Sequence, residues 1–350
     1  MTFGVARPGE MDADLTAIDR HGDEDVTAGM VDFAVNVRGD TPPWLVEELR
    51  SRVDDLARYP SRADELAAVR AVGDAHGRPP SEVLLLAGAA EGFALLPDLR
   101  PRRVALVQPS FTEPERVLRA SGVDICPVVL PEPWRLDQVD IADDVDMVVL
   151  GNPTNPTSVL HPRSAVEALR RPGRTIVVDE AFADVTPGEP ESLASSGLAD
   201  VIVIRSVTKT FALAGLRAGY LLASAPIVAR LAVTRPHWPL GTLQLAALRM
   251  CLGERGHAHV QREAQTVTAD RDAMVGLLTD AGIEVCGSPA GSFLVVRVAD
   301  GSSVKSRLAQ RGFAVRSCAN FAGMTPDHLR LAVRDPATVR RLLDAWKDVI

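Results

Sequence analysis

The chain has 350 residues, of which 46% are hydrophobic and 24% charged, with a formal charge of −8. That length exceeds what one hydrophobic core usually organises, and the composition is that of a packed globular protein rather than a disordered one. The acidic balance supplies no basic patch for a phosphate backbone, which argues against nucleic acid as a partner, and no apolar run reaches the roughly 20 residues that span a bilayer.

Met1–Glu10 lacks the basic start and apolar stretch of a leader peptide, so the cytoplasm is the expected location. Cys126, Cys251, Cys286 and Cys318 are scattered, with no C-x-x-C pair and no nearby His cluster, so they read as packing thiols and no metal site is expected.

From about Asp64 onward, helical periodicity alternates with short β-rich runs, the pattern of a parallel sheet flanked by helices. Strands are predicted at Val83–Leu86, Val104–Gln108, Val145–Leu150, Thr175–Val178, Val201–Ile204 and Gly219–Ala223. Runs such as MVVL and VIVI are continuous rather than alternating, as befits strands covered on both faces. Open α/β sheets bind ligands just past the strand C-termini, so the candidate residues are those that follow each run.

Gly88-Ala89-Ala90-Glu91 follows the first strand as a small-residue turn into a helix, whose backbone N–H groups suit an anion. Phe111 follows the second and offers an aromatic face. Asn152 and Asn155 follow the third, each before a proline, a pattern that reads equally as a turn. Asp179 ends the fourth, where helix N-caps are also common. Ser206-Val-Thr208-Lys209-Thr210 follows the fifth, and Arg217 stands eight residues beyond the lysine. Hydroxyls and a guanidinium fork suit a phosphate ester, while the lysine amine suits an aldehyde. A lysine desolvated among such partners has a depressed pKa and becomes a usable nucleophile and base.

After Pro239 the texture changes. A long helical stretch is predicted from Leu240 to Ala281, then strands in GSFLVVRV and FAVRS, then a closing helix over Pro336–Val349. The expected organisation is an N-terminal segment (1–30), a large domain (31–238) and a small C-terminal domain (239–350).

Turn glycine, aromatic, Asn, Asp, Lys and then Arg, each after its own strand, resemble the fold type I pyridoxal 5′-phosphate (PLP) enzymes of the class I/II aminotransferase family, over essentially the whole chain. The resemblance implies an α/β fold: a large domain with a mostly parallel, seven-stranded-type sheet between helices, plus a smaller α+β C-terminal domain. It implies that Lys209 carries the cofactor as a Schiff base, that Asp179 pairs with the ring nitrogen, that Asn155 donates to the phenolate oxygen and that Phe111 stacks on the ring. Ala89, Ala90, Ser206, Thr208 and Arg217 are implied to hold the phosphate. Tyr59 matches the family tyrosine that reaches the phosphate of a neighbouring subunit, which implies a homodimer with shared active sites.

Within that family, His21-Gly22-Asp23, VDFAVNV around Asn36, PSFTEPERVLRASG and VRSCANFAGMTPDHLRLAVRD look most like the branch of threonine-phosphate decarboxylases of cobalamin synthesis. In these stretches Asn36, Arg316 and Arg330 match positions that bind substrate, and a small phosphorylated amino acid is the expected substrate. Phe182, where many aminotransferases carry Tyr three residues after the pyridine Asp, fits the same branch. A histidinol-phosphate aminotransferase-like enzyme with the same cofactor set is the alternative, and a catalytically silent PLP-fold binding protein is another. A nucleotide-binding doubly wound enzyme is disfavoured, because no G-x-G-x-x-G or P-loop follows the first strand. Whichever Cα bond stands perpendicular to the cofactor ring is the one that breaks. Loss of Cα–H gives transamination and loss of the carboxylate gives decarboxylation, and no sequence pattern reports that torsion.

Overall fold

The computed structural model of the protein describes residues 22–137 and 139–349. His21 and most of the expected N-terminal segment therefore lie outside the described residues. In chain order the strands are β1 (Val31–Asp32), β2 (Val83–Leu86), β3 (Arg103–Gln108), β4 (Asp124–Val129), β5 (Met147–Gly151), β6 (Thr175–Asp179), β7 (Val201–Ser206), β8 (Gly219–Leu222), β9 (Glu284–Cys286), β10 (Phe293–Arg297), β11 (Phe313–Ala314), β12 (Arg316–Ser317) and β13 (His328–Ala332).

Strands β2 to β8 form one seven-stranded sheet in the order β2-β8-β7-β6-β5-β3-β4. All run parallel except β8, which is antiparallel to both β2 and β7. The continuous apolar runs serve two cores at once, because successive side chains point to opposite faces. Val148, Leu150, Ile176, Val178, Val201 and Val203 enter one cluster, while Met147, Val149, Val177, Ile202 and Ile204 enter the other. Each such side chain contributes about 1.5–3 kcal/mol by leaving water, so this block supplies much of the domain's stability.

The strand β4 was not among those predicted. It is an edge strand paired with β3 alone, and its alternating exposure and internal Pro127 hide it from a search for buried runs.

The smaller sheet is antiparallel in the order β12-β13-β10-β9. The expected FAVRS strand divides in two because its halves have different partners: β11 pairs with β1, and β12 with β13. The single helix expected over Leu240–Ala281 is likewise two, Thr242–Cys251 and Glu254–Asp280, interrupted where Gly253 takes an extended conformation and caps the second. The closing helix runs Pro336–Lys347, with Asp335 Oδ1 accepting from the Ala337 and Thr338 amides.

Two stretches pack with cores distant from them in sequence. β1 and Phe33 join the C-terminal core, whereas Leu245 and Leu248 on the helix Thr242–Cys251 belong to the core of the large sheet. No helix among the described residues is long and apolar enough to cross a membrane.

Candidate active site

The register of the large sheet sets Gly151 beside Asp179 and Asp179 beside Ile204, so β5, β6 and β7 end at a common edge. The chain beyond these ends opens into a cavity of about 470 Å³. Its wall includes Ala89, Ala90, Phe111, Asn155, Asp179, Ser206, Thr208, Lys209 and Arg217 on one side. Asn36, Arg316 and Arg330 close the other. Tyr59 does not border it. That side chain is 75% exposed on the outer surface and stacks on Trp238, ring centroids 4.2 Å apart and planes 18° from parallel.

One end of the cavity is built for an anion. Ser206 Oγ and Thr208 Oγ1 lie 2.7 Å apart, and the Thr208 amide donates to Ser206 Oγ at 3.2 Å. Arg217 crosses Gly88 so closely that a Cβ there would lie 2.7 Å from its Nη2. Gly88 has φ 85° and ψ 161°, a region open essentially to glycine alone. Arg217 is itself left-handed at φ 58°, and Gln244 Nε2 donates to its carbonyl at 2.6 Å. The Gln244 bond thus holds the backbone of an arginine that borders the cavity in a sparsely populated conformation.

At the centre, Asp179 Oδ1 accepts from the Ala181 amide at 3.0 Å. Burial pushes this carboxyl up to about 6, against the pull of the Lys209 cation. A cationic ring nitrogen beside it would restore the charged form. Of the chain's three lysines, Lys305 pairs with Asp25 and Lys347 with Asp344, so Lys209 alone borders the cavity. The two asparagines after β5 divide their work. Asn152 is bonded through both side-chain atoms to the His161 backbone, while Asn155 faces the cavity.

The far wall carries two buried guanidinium groups, on Arg316 and Arg330, directly opposite each other in the β12–β13 register. Arg330 donates to Asn155 Oδ1 at 2.5 Å and to the Ala34 carbonyl at 2.6 Å, and burial lowers its pKa to about 10. Its carbon Cζ lies 5.5 Å from the Phe293 ring centre, and Phe182 meets the same ring edge-on at 4.8 Å. Arg316 donates to Asn320 Oδ1 at 3.0 Å and lies 3.7 Å from Asp25, whose carboxylate it shares with Lys305. Asn36 Oδ1 and Arg330 Nε are buried with no hydrogen-bond partner among the described residues. Buried polar atoms are rarely left so, and these two are available to a ligand.

This donor set fits the cofactor implied by the sequence: hydroxyls and a guanidinium at one end, an amine in the middle, and a strand-end carboxyl held by one amide. Phe93, Glu113 and Phe321 also border the cavity and were not anticipated. Phe93 stands one helical turn after Ala89 and packs on Phe111 with centroids 6.3 Å apart, so i,i+4 spacing from the turn was the available signal.

The family model described as "Aminotransferase class I and II" matches residues 28–345. A histidinol-phosphate aminotransferase of Mycobacterium tuberculosis is 52% identical over 321 residues, spanning 91% of this chain and 88% of that protein. The threonine-phosphate decarboxylase of Salmonella typhimurium is 29% identical over 334 residues, 92% and 91% of the two chains. The crystal structure of a histidinol-phosphate aminotransferase from Sinorhizobium meliloti in complex with pyridoxal 5′-phosphate superposes with a TM-score of 0.81 at 19% identity, covering 91% of this chain and 90% of that one.

Proposed function

The chain belongs to the aminotransferase class I and II family of PLP-dependent enzymes, and from that premise we propose that it decarboxylates a small amino acid bearing a second anionic group, with L-threonine O-3-phosphate as substrate. PLP, bound at the centre of the cavity, supplies an electron sink for the pair left at Cα.

The residues divide the remaining work. Lys209 would hold the cofactor through Nζ, and the same amine, when free, would deliver to the substrate Cα the proton that replaces the departed carboxylate. Asp179 would keep the ring nitrogen protonated, Asn155 would donate to the ring oxygen, and Phe111 would cover the ring. Ser206, Thr208, Arg217 and the Ala89 and Ala90 amides hold the cofactor phosphate. Arg330 takes the substrate carboxylate and Arg316 the substrate phosphate, with Asn36 beside them. Phe93 and Phe321 keep water from the reacting carbon. The chain acts as a homodimer in which Tyr59 reaches the partner's cofactor phosphate.

The observation that carries this reading is the pair of buried guanidinium groups on β12 and β13. Arg316 and Arg330 stand opposite each other, both buried and both bordering the cavity, with Arg330 bonded to two neutral oxygens, Asn155 Oδ1 and the Ala34 carbonyl. Buried cations call for anionic partners. Threonine phosphate brings two anionic groups, whereas histidinol phosphate brings one.

Transamination of histidinol phosphate is the second reading, supported by the 52% identity to the mycobacterial aminotransferase. Incubation with L-threonine O-3-phosphate, assayed for carbon dioxide, and with histidinol phosphate plus a keto acid, assayed for amino transfer, separates the two. Amino transfer without carbon dioxide release would sink the decarboxylase reading.

A further inference from the structure

The residue after Lys209 is held by groups that do not border the cavity. Thr210 Oγ1 donates to Asp184 Oδ2 at 2.7 Å. The Thr210 carbonyl accepts from His259 Nε2 at 3.1 Å, on the helix Glu254–Asp280, and that imidazole lies against Phe211 with centroids 4.9 Å apart. Two residues on from Thr210, Ala212 sits in left-handed backbone at φ 49°, and its carbonyl accepts from Thr41 Oγ1 at 2.8 Å. The turn that carries Lys209 is thus tied to three separate parts of the fold.

Asp184 is the unusual member. Its side chain is buried, its Oδ2 bonds Thr210, and its Oδ1 has no hydrogen-bond partner among the described residues. Arg205, the cation whose charge favours its ionised form, is already engaged by Glu180 and Glu189. Burial pushes the carboxyl up to about 6. Enclosing an acid with so little compensation is unfavourable, and an amide or an apolar side chain would fill the space at less cost. What the acid supplies is a strong acceptor for one hydroxyl, and that hydroxyl belongs to the neighbour of Lys209.

We propose that Asp184 is a positioning residue: through the Thr210 hydroxyl, and together with His259 on the Thr210 carbonyl, it fixes the turn that aims the Lys209 amine at the cofactor aldehyde. This rests on the reading of Lys209 as the cofactor-bearing lysine.

The test uses the full chain stripped of cofactor, as parent, Thr210→Val, Thr210→Ser and Asp184→Asn. PLP is added, the rise of absorbance near ~420 nm gives the attachment rate, and borohydride reduction with peptide mass mapping shows which of the three lysines is labelled. Thermal melting reports the fold. Thr210→Val and Asp184→Asn are expected to attach PLP about 10-fold more slowly and to move the pH midpoint of the absorbance, because a reacting group has lost its near-attack placement. Melting should hold, and Thr210→Ser should restore both readouts. Parental attachment rate and midpoint in Thr210→Val overturn the proposal, whether or not that variant melts early. Should Asp184→Asn fail to fold, the Val and Ser pair decides. Label on Lys305 or Lys347 in the parent overturns the assignment of Lys209, and this proposal with it, before any variant is compared.

Discussion

Arg330 Nη1 donates to Asn155 Oδ1 across 2.5 Å, joining β13 of the small sheet to the loop that follows β5 of the large one. One arginine therefore touches a residue assigned to the cofactor while facing the space assigned to substrate. Arg330→Lys keeps the charge but cannot reach Asn155 and the Ala34 carbonyl with one planar fork. We expect kcat/KM to fall about 100-fold, ~2.7 kcal/mol of transition-state stabilisation, with the cofactor retained. Steady-state kinetics beside the absorbance spectrum of the same sample checks both halves.

Gly88→Ala should strike the cofactor rather than the substrate. A methyl group at this position would lie 2.7 Å from Arg217 Nη2 and would force a non-glycine residue into backbone that costs about 1–3 kcal/mol. PLP affinity is expected to drop about 10-fold or more, read by titrating the stripped chain. Unchanged affinity would show that Arg217 does not face the phosphate.

Asp179 makes the cofactor-free chain sensitive to pH. Its folded pKa of about 6 lies above the unfolded value of about 3.9, so the folded state binds the proton more tightly. Stability from this group is fully present below about pH 4 and is lost as pH rises through about 6, a change of roughly 2–3 kcal/mol. Cofactor-free Asp179→Asn, which lacks that titration, should melt above the parent at about pH 8, and the gap should close by about pH 4.5. A constant gap across this range would contradict the assigned direction.

Phe182→Tyr would add a hydroxyl to a ring that borders the same cavity as Asn155, as a second donor for the ring oxygen. A hydrogen bond to a charged oxygen favours the charged form. The pH midpoint of the bound cofactor's visible absorbance is therefore expected to fall, by roughly one unit if the new bond contributes about 1.4 kcal/mol. A spectrophotometric pH titration reads it directly.

Tyr59 is expected to act in trans. Tyr59→Ala and Lys209→Ala should each be nearly inactive alone, yet mixing them through a denature-and-refold step should restore about a quarter of parental activity, because one hybrid site in each mixed dimer keeps both residues. No recovery would place Tyr59 outside the partner's site.

The strand ends that border the cavity were legible because each follows an unbroken apolar run: β6 announces Asp179, and β7 announces Ser206 and Lys209. Local pattern failed where the partner was distant or the exposure mixed. The edge strand β4 shows alternating burial around Pro127, and one glycine among strong helix formers did not reveal the break at Gly253. Phe33 and Asn36 look like ordinary hydrophobic and polar positions, and only the pairing of Val31 with Phe313 explains why the first is a core residue and the second faces the cavity. The clamp on Thr210 left no trace in the sequence either, since Asp184 and His259 stand in different elements.

The pairing of β1 with β11 also sets an order on biosynthesis. Domains generally fold as their residues emerge, N-terminal parts first. β1 must nonetheless wait for Phe313–Ala314, far later in the chain than the whole of the large sheet, before it has a strand to join. The central sheet, with Asp179 and Lys209 in place, can assemble on the ribosome while residues 31–36 remain unplaced. The wall assigned to the substrate is therefore closed only after the strands assigned to the cofactor have emerged, and a nascent chain passes through a stage in which one half of the cavity stands without the half that faces it.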